Sequence, residues 1–120
     1  MTIKLEEKTI ELGGKTYVLR VNMSVLDRLQ EASGGEIGSL LKRTPNDVMA
    51  ATMAEMLNDW AEDQGWDEQW TEKKVKKLFS VGMLNILDIS GMFFRALSPA
   101  SQGTEAQKTK NKQPDEESGN

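Results

Sequence analysis

From Ile10 to Val21 the apolar side chains Ile10, Leu12, Tyr17, Leu19 and Val21 are separated by polar or small residues except at Val18. A period of two marks a half-buried strand, and Gly13-Gly14 interrupts the run as a hairpin requires. A turn centred on Gly14-Lys15 sets Leu12 opposite Tyr17 and Ile10 opposite Leu19. A turn centred on Gly13-Gly14 faces Leu12 with Lys15 and Lys8 with Leu19, giving up two apolar pairs worth a few tenths to about 1 kcal/mol each. The pattern therefore predicts the first register. A lone hairpin is marginal in water, so its apolar face must rest on helices.

After Val21 the period lengthens. Ser24 followed by Asp27 reads as an N-cap with an acidic partner, and Val25, Leu26 and Leu29 form the apolar side of a helix that stops at Gly34-Gly35. The piece "EIGSLLKR" is short and amphipathic and ends before Pro45. Thr44-Pro45-Asn46-Asp47 combines a capping hydroxyl, proline at the first helical position and an early acid. In the helix that follows, Met49, Met53, Met56, Leu57 and Trp60 fall within an arc of about 100°, the width of a core-facing stripe. Gly65 ends it. Thr71 can cap a fourth helix in which Val75, Leu78 and Phe79 share a face ringed by Lys73, Lys74, Lys76 and Lys77, and a last helix is expected from about Met83 to Leu97.

From Ser98 onward no aliphatic residue exceeds alanine and no aromatic occurs, so burial cannot offset the entropy of ordering the backbone. The expected organisation is one domain over 1–98 and a disordered polar tail over 99–120. The fold class is α+β, mainly α: an N-terminal β-hairpin packed on a small bundle of four to five helices.

A formal charge of −4 gives no electrostatic basis for wrapping a phosphate backbone, so nucleic acid is not an expected partner. The chain has neither cysteine nor histidine. That removes Ser-His, Cys-His and His-ligated metal arrangements together, and with them most routes to catalysis. No catalytic, cofactor-binding or metal-binding residue is assigned, and the protein is not expected to be an enzyme. The N-terminal stretch lacks a basic segment followed by an apolar run, so no signal peptide is expected and the protein should remain in the cytoplasm.

The segment "LFSVGMLNILDISGMFFRAL" approaches the length of a membrane span, but Asn85, Asp88 and Arg95 would each sit at hydrocarbon depth. On a helical wheel those three share one strip, as on a buried helix with one wet edge; its other apolar sides, which include Phe93 and Phe94, can also serve as a partner surface. The acids Asp59, Glu62, Asp63, Asp67 and Glu68 lack the order of a calcium loop and read as a solvated helix end neutralised by the lysines that follow. Neither "ELGGK" nor "GEIGSLL" has the spacing of a phosphate loop. Methionine faces suit adaptable recognition as well as core filling, which makes Met49, Met53 and Met56 candidates for partner binding. Trp66 and Trp70, two tryptophans in a short acidic loop, are either a lid on the core or anchors for a partner. Position favours Trp70 packed beneath the helix that starts at Thr71, with Trp66 nearer the solvent.

The stretch "IELGGKTYVLRVNMSVLDRLQEASGG" resembles the small tail assembly chaperones of long-tailed bacteriophages, prophages and gene transfer agents. Gly13, Gly14, Lys15, Tyr17, Leu19 and Arg20 fill that family's glycine-containing hairpin, Asn22 to Leu29 its cap and first helix, and Gly34-Gly35 the helix end. "IGSLLKR", Thr71, Val75, Leu78 and the terminal helix also fit its layout, so the likeness extends over about the first 97 residues. The two-tryptophan acidic loop and the long apolar final helix depart from it. The resemblance implies a non-enzymatic helper in the bacterial host cytoplasm, absent from the mature virion. Such a helper binds the tape measure protein, keeps it soluble and helps recruit tail tube protein around it; self-association remains open. In several members a ribosomal frameshift adds a second domain to some copies, an arrangement the polar tail would suit. The alternatives are a structural tail or head–tail connector protein and a small host helical adaptor or regulator.

Overall fold

The computed structural model describes residues 4–98; residues 1–3 and 99–120, and with them the expected tail, lie outside the described residues. Strands β1 (Lys8–Leu12) and β2 (Lys15–Leu19) form an antiparallel hairpin. Six helical segments follow: α1 (Met23–Ala32), α2 (Ile37–Leu41), α3 (Pro45–Gln64), α4 (Glu72–Leu78), α5 (Val81–Ile86) and α6 (Ile89–Leu97). The mainly helical α+β fold is as the sequence predicts, with one more helical segment than expected.

The hairpin register differs from the expected one. Leu12 faces Lys15, Ile10 faces Tyr17 and Lys8 faces Leu19. The turn is Gly13-Gly14, with φ of 57° and 81°. A two-residue hairpin turn that matches the strands' twist needs left-handed backbone at both central positions. Glycine supplies it freely, whereas a turn on Gly14-Lys15 would have forced Lys15 into that region. Turn chemistry outweighs the pairing argument, and the two expected apolar pairs are replaced by one, Ile10 with Tyr17.

Helix α1 begins two residues earlier than expected. Asn22 is its cap, accepting the Val25 N–H at 2.9 Å, and Ser24 lies inside the helix and donates to Asp59 at 2.6 Å. Thr44 caps α3 by accepting the Asp47 N–H at 3.2 Å, and left-handed Gly65 ends it. This 20-residue helix is the spine of the molecule, packing against α1, α4, α6 and β2. Being surrounded, it buries Val48, Ala51, Thr52 and Asp59 as well as its methionine stripe. Surface ion pairs of Arg43, Asp47, Glu72 and Lys76 join its start to α4.

The expected final helix is two. Ser80 caps α5, accepting the Met83 N–H at 3.1 Å, and the chain then turns at Asp88, which is left-handed at φ 57°. Aspartate is among the few L-residues that tolerate this backbone, and its carboxylate is held by Arg95 at 2.7 Å. A Cβ on Gly91 would come within 2.7 Å of Arg95 Nη1 and closer still to the Asp88 carboxylate, so glycine leaves room for that pair. Arg95 also grips Glu6 through two hydrogen bonds of 2.9 and 2.6 Å, tying the segment before β1 to α6. Among the described residues no helix is long and apolar enough to cross a membrane.

Candidate partner-binding groove

Between the hairpin and the α4–α5 corner runs an open groove of about 460 Å³, walled by Leu12, Tyr17, Trp70, Leu78, Phe79 and Met83. Its floor is set by the loop that joins α3 to α4. The Trp66 N–H bonds the Ala61 carbonyl at 2.9 Å, which folds the chain back past Gly65. The Asn58 side chain then holds the Trp70 backbone on both sides, donating to its carbonyl at 2.9 Å and accepting its N–H at 2.7 Å. Thr71 starts α4 at once, accepting the Lys74 N–H at 3.0 Å.

Trp70 is buried, its ring centroid 6.3 Å from both Tyr17 and Phe79, with Lys74 Nζ 4.4 Å above it. Trp66 is half-buried, edge-on to Tyr17 at 5.2 Å, under Lys15 Nζ at 4.8 Å. The two tryptophans thus sit as their positions suggested. Trp66 meets the hairpin directly, and Trp70 is joined to it through Glu68, which accepts from Lys15, from the Tyr17 hydroxyl at 2.7 Å and from Trp70 Nε1 at 3.1 Å. Burial alone would raise the Glu68 carboxyl, but these three donors outweigh it and hold it down at about 2. Burial, with the Glu68 carboxylate beside it, pushes the Tyr17 hydroxyl up to about 12.

The other acids of the segment pair with the hairpin and α1 rather than with the lysines that follow: Glu62 with Arg28, Asp63 with Arg20 at 2.8 Å, and Glu68 with Lys15. Asp59 is buried under Ser24 and Asn22. Among the described residues no group of three or more acidic side chains is placed to hold a metal ion.

The remaining sequence candidates divide sharply. Met49, Met53 and Met56 are in the core and cannot meet a partner, because α3 is covered on nearly every side. Phe93 is also fully buried, whereas its neighbour Phe94 is 53% exposed. Leu78, expected on the buried face of α4 with Val75, is 59% exposed on the groove wall, since α4 ends there and Phe79 turns inward in its place. Met83 is 46% exposed, and Val81 and Ile86 beside it are exposed too. Sequence reasoning missed these four as a set. The signal was the apolar run "LFSVGMLNIL", with more large side chains than two short helices can cover.

No family model, curated protein or solved structure matches this chain.

Proposed function

We propose that the protein is a non-enzymatic tail assembly chaperone that seats an apolar helical segment of the tape measure protein in the groove between hairpin and α4–α5. The observation that supports this reading is the exposure of Leu78 and Met83 on the walls of a groove floored by Trp70 and Phe79. An amphipathic helix reads such a groove through side chains spaced three and four apart. In this reading the chaperone keeps the long client soluble in the host cytoplasm, brings tail tube protein to it, and is left behind when the particle is complete.

Apolar contact supplies the affinity, since an acidic chain offers no general attraction. Co-expression should therefore raise the solubility of a tape measure fragment, and the complex should survive about 0.5 M salt, where the Debye length is only a few Å. A complex that falls apart on adding salt would show that charge holds it. Finding the protein in purified particles would assign it to the virion instead.

A further inference from the structure

The hairpin has two outer edges, and among the described residues only the β2 edge receives a bond from another element. A two-residue turn makes Leu12 and Lys15 the first bonded pair of the ladder, so alternate residues on each strand point their backbone groups outward. On β2 the outward residues are Thr16 and Val18. The Thr16 carbonyl accepts from Trp60 Nε1 at 3.1 Å, and this strand packs on α3. On β1 they are Thr9 and Glu11, both exposed, and among the described residues nothing bonds to their backbone N–H or carbonyl groups. An unprotected edge of this kind is a template for another strand.

We propose that a second copy of this chain docks on the β1 edge, making a four-stranded antiparallel sheet in the order β2-β1-β1-β2 across a two-fold axis. The occupant is argued from register. Side chains must keep their faces, and this leaves three symmetric pairings that bring outward backbone groups together. An axis through Thr9 sets Glu11 against the partner's Glu7, and an axis through Glu11 sets that carboxylate against its own copy. Both oppose like charges. An axis through Ile10 sets Thr9 against the partner's Glu11 in both directions, Lys8 against the partner's Leu12, and Ile10 against the partner's Ile10. No like charges stand directly opposite one another, and the four outward N–H and carbonyl groups of each β1 strand find partners. Ile10 is half-buried in the single chain, and at a non-bonded pair the two Cα atoms lie about 4.5 Å apart, so its remaining apolar surface is covered by its twin.

The test uses the full chain, without any client. Sedimentation equilibrium should give a mass that rises from 13.4 kDa toward twice that value with concentration. Thr9→Pro should hold the mass at that of one chain while leaving the circular dichroism unchanged, and the urea midpoint too at concentrations where the native chain is itself a monomer, because the Thr9 N–H takes no part in the β1–β2 ladder and proline is tolerated at such an edge. The chain has no cysteine, so Ile10→Cys can form a disulfide only between copies. Facing Cα atoms at this pair fall at about the separation a disulfide accepts. Ile10→Cys should oxidise to a covalent dimer about tenfold or more faster than Thr16→Cys on the β2 edge, as expected for sulfurs held together rather than meeting by diffusion. A chain that stays monomeric at every concentration overturns the proposal. So does a dimer that a folded Thr9→Pro leaves intact, or one in which Ile10→Cys oxidises no faster than the control. If Thr9→Pro fails to fold, the two cysteine variants decide alone.

Discussion

The side chain of Asn58 pairs with the backbone of Trp70 as a neighbouring strand would, filling both its N–H and its carbonyl from one amide. Asn58→Ala leaves two peptide groups beside a buried tryptophan without partners, at an expected cost of about 2 kcal/mol or more. Asn58→Asp keeps the acceptor but turns a carboxylate toward the Trp70 carbonyl, and should be no better. Urea melts of the two variants measure this, and a midpoint unchanged in both would show that the loop is held by other contacts.

The two tryptophans should separate in their effects. Trp70→Ala removes a ring packed against Tyr17 and Phe79 and should cost about 3–5 kcal/mol, the range for deleting a buried aromatic. Trp66→Ala removes a half-buried ring that rests on Tyr17 and should cost less than half as much. Equal losses in urea melts would contradict the difference in burial.

Stability should fall at both ends of the pH scale, for reasons that meet at Glu68 and Tyr17. The folded Glu68 carboxyl, at about 2, lies below its ordinary 4.5, so its contribution is fully present above pH 4.5 and is lost as the pH falls toward 2. The loss is on the order of 2 kcal/mol after discounting for screening around the exposed Lys15. The Tyr17 hydroxyl, raised from 10.0 to about 12, contributes below pH 10 and ceases to contribute as the pH climbs between those values. Urea midpoints followed against pH should show both arms. Glu68→Gln should flatten the acid arm and Tyr17→Phe the alkaline one.

On the groove wall, Leu78→Glu and Met83→Glu should change stability by no more than about 0.5 kcal/mol, because both side chains are already largely in water. Each should abolish capture of a tape measure fragment in a pull-down. Phe94→Glu on α6 is the comparison: a variant chain that loses the client there, and keeps it with the groove altered, moves the site to the last helix.

Local signals in the sequence carried most of the fold. Thr44, Pro45, Gly65 and Thr71 mark helix ends through chemistry contained within four residues, and each sits where it was expected. The hairpin register was misjudged because cross-strand pairs were weighed above the left-handed backbone that two adjacent glycines supply. The break at Asp88 was missed because a left-handed aspartate is stabilised by Arg95 on the next helix, and a wheel drawn through both helices shows only that the two share a strip. The methionine stripe identified the buried face of α3 but not that its other faces are buried as well, since that depends on α1, α4 and β2 closing around it. The groove was illegible for the same reason: Leu78 and Phe79 are adjacent in sequence and opposite in fate, and only the end of α4 between them decides which one faces water.

The grip of Arg95 on Glu6 spans 89 positions of the chain, and the bond from Tyr17 to Glu68 spans 51. A ribosome delivers β1 and β2 before every element that supports them. At about 5–20 residues per second, on the order of 5–20 s separates the synthesis of Glu6 from that of Arg95. Until α3 and Glu68 have followed, the hairpin is without its main helical support, and the groove is incomplete until Met83 has emerged. The groove is thus assembled from both ends of the described fold, and its hairpin wall is made long before the α4–α5 wall that faces it.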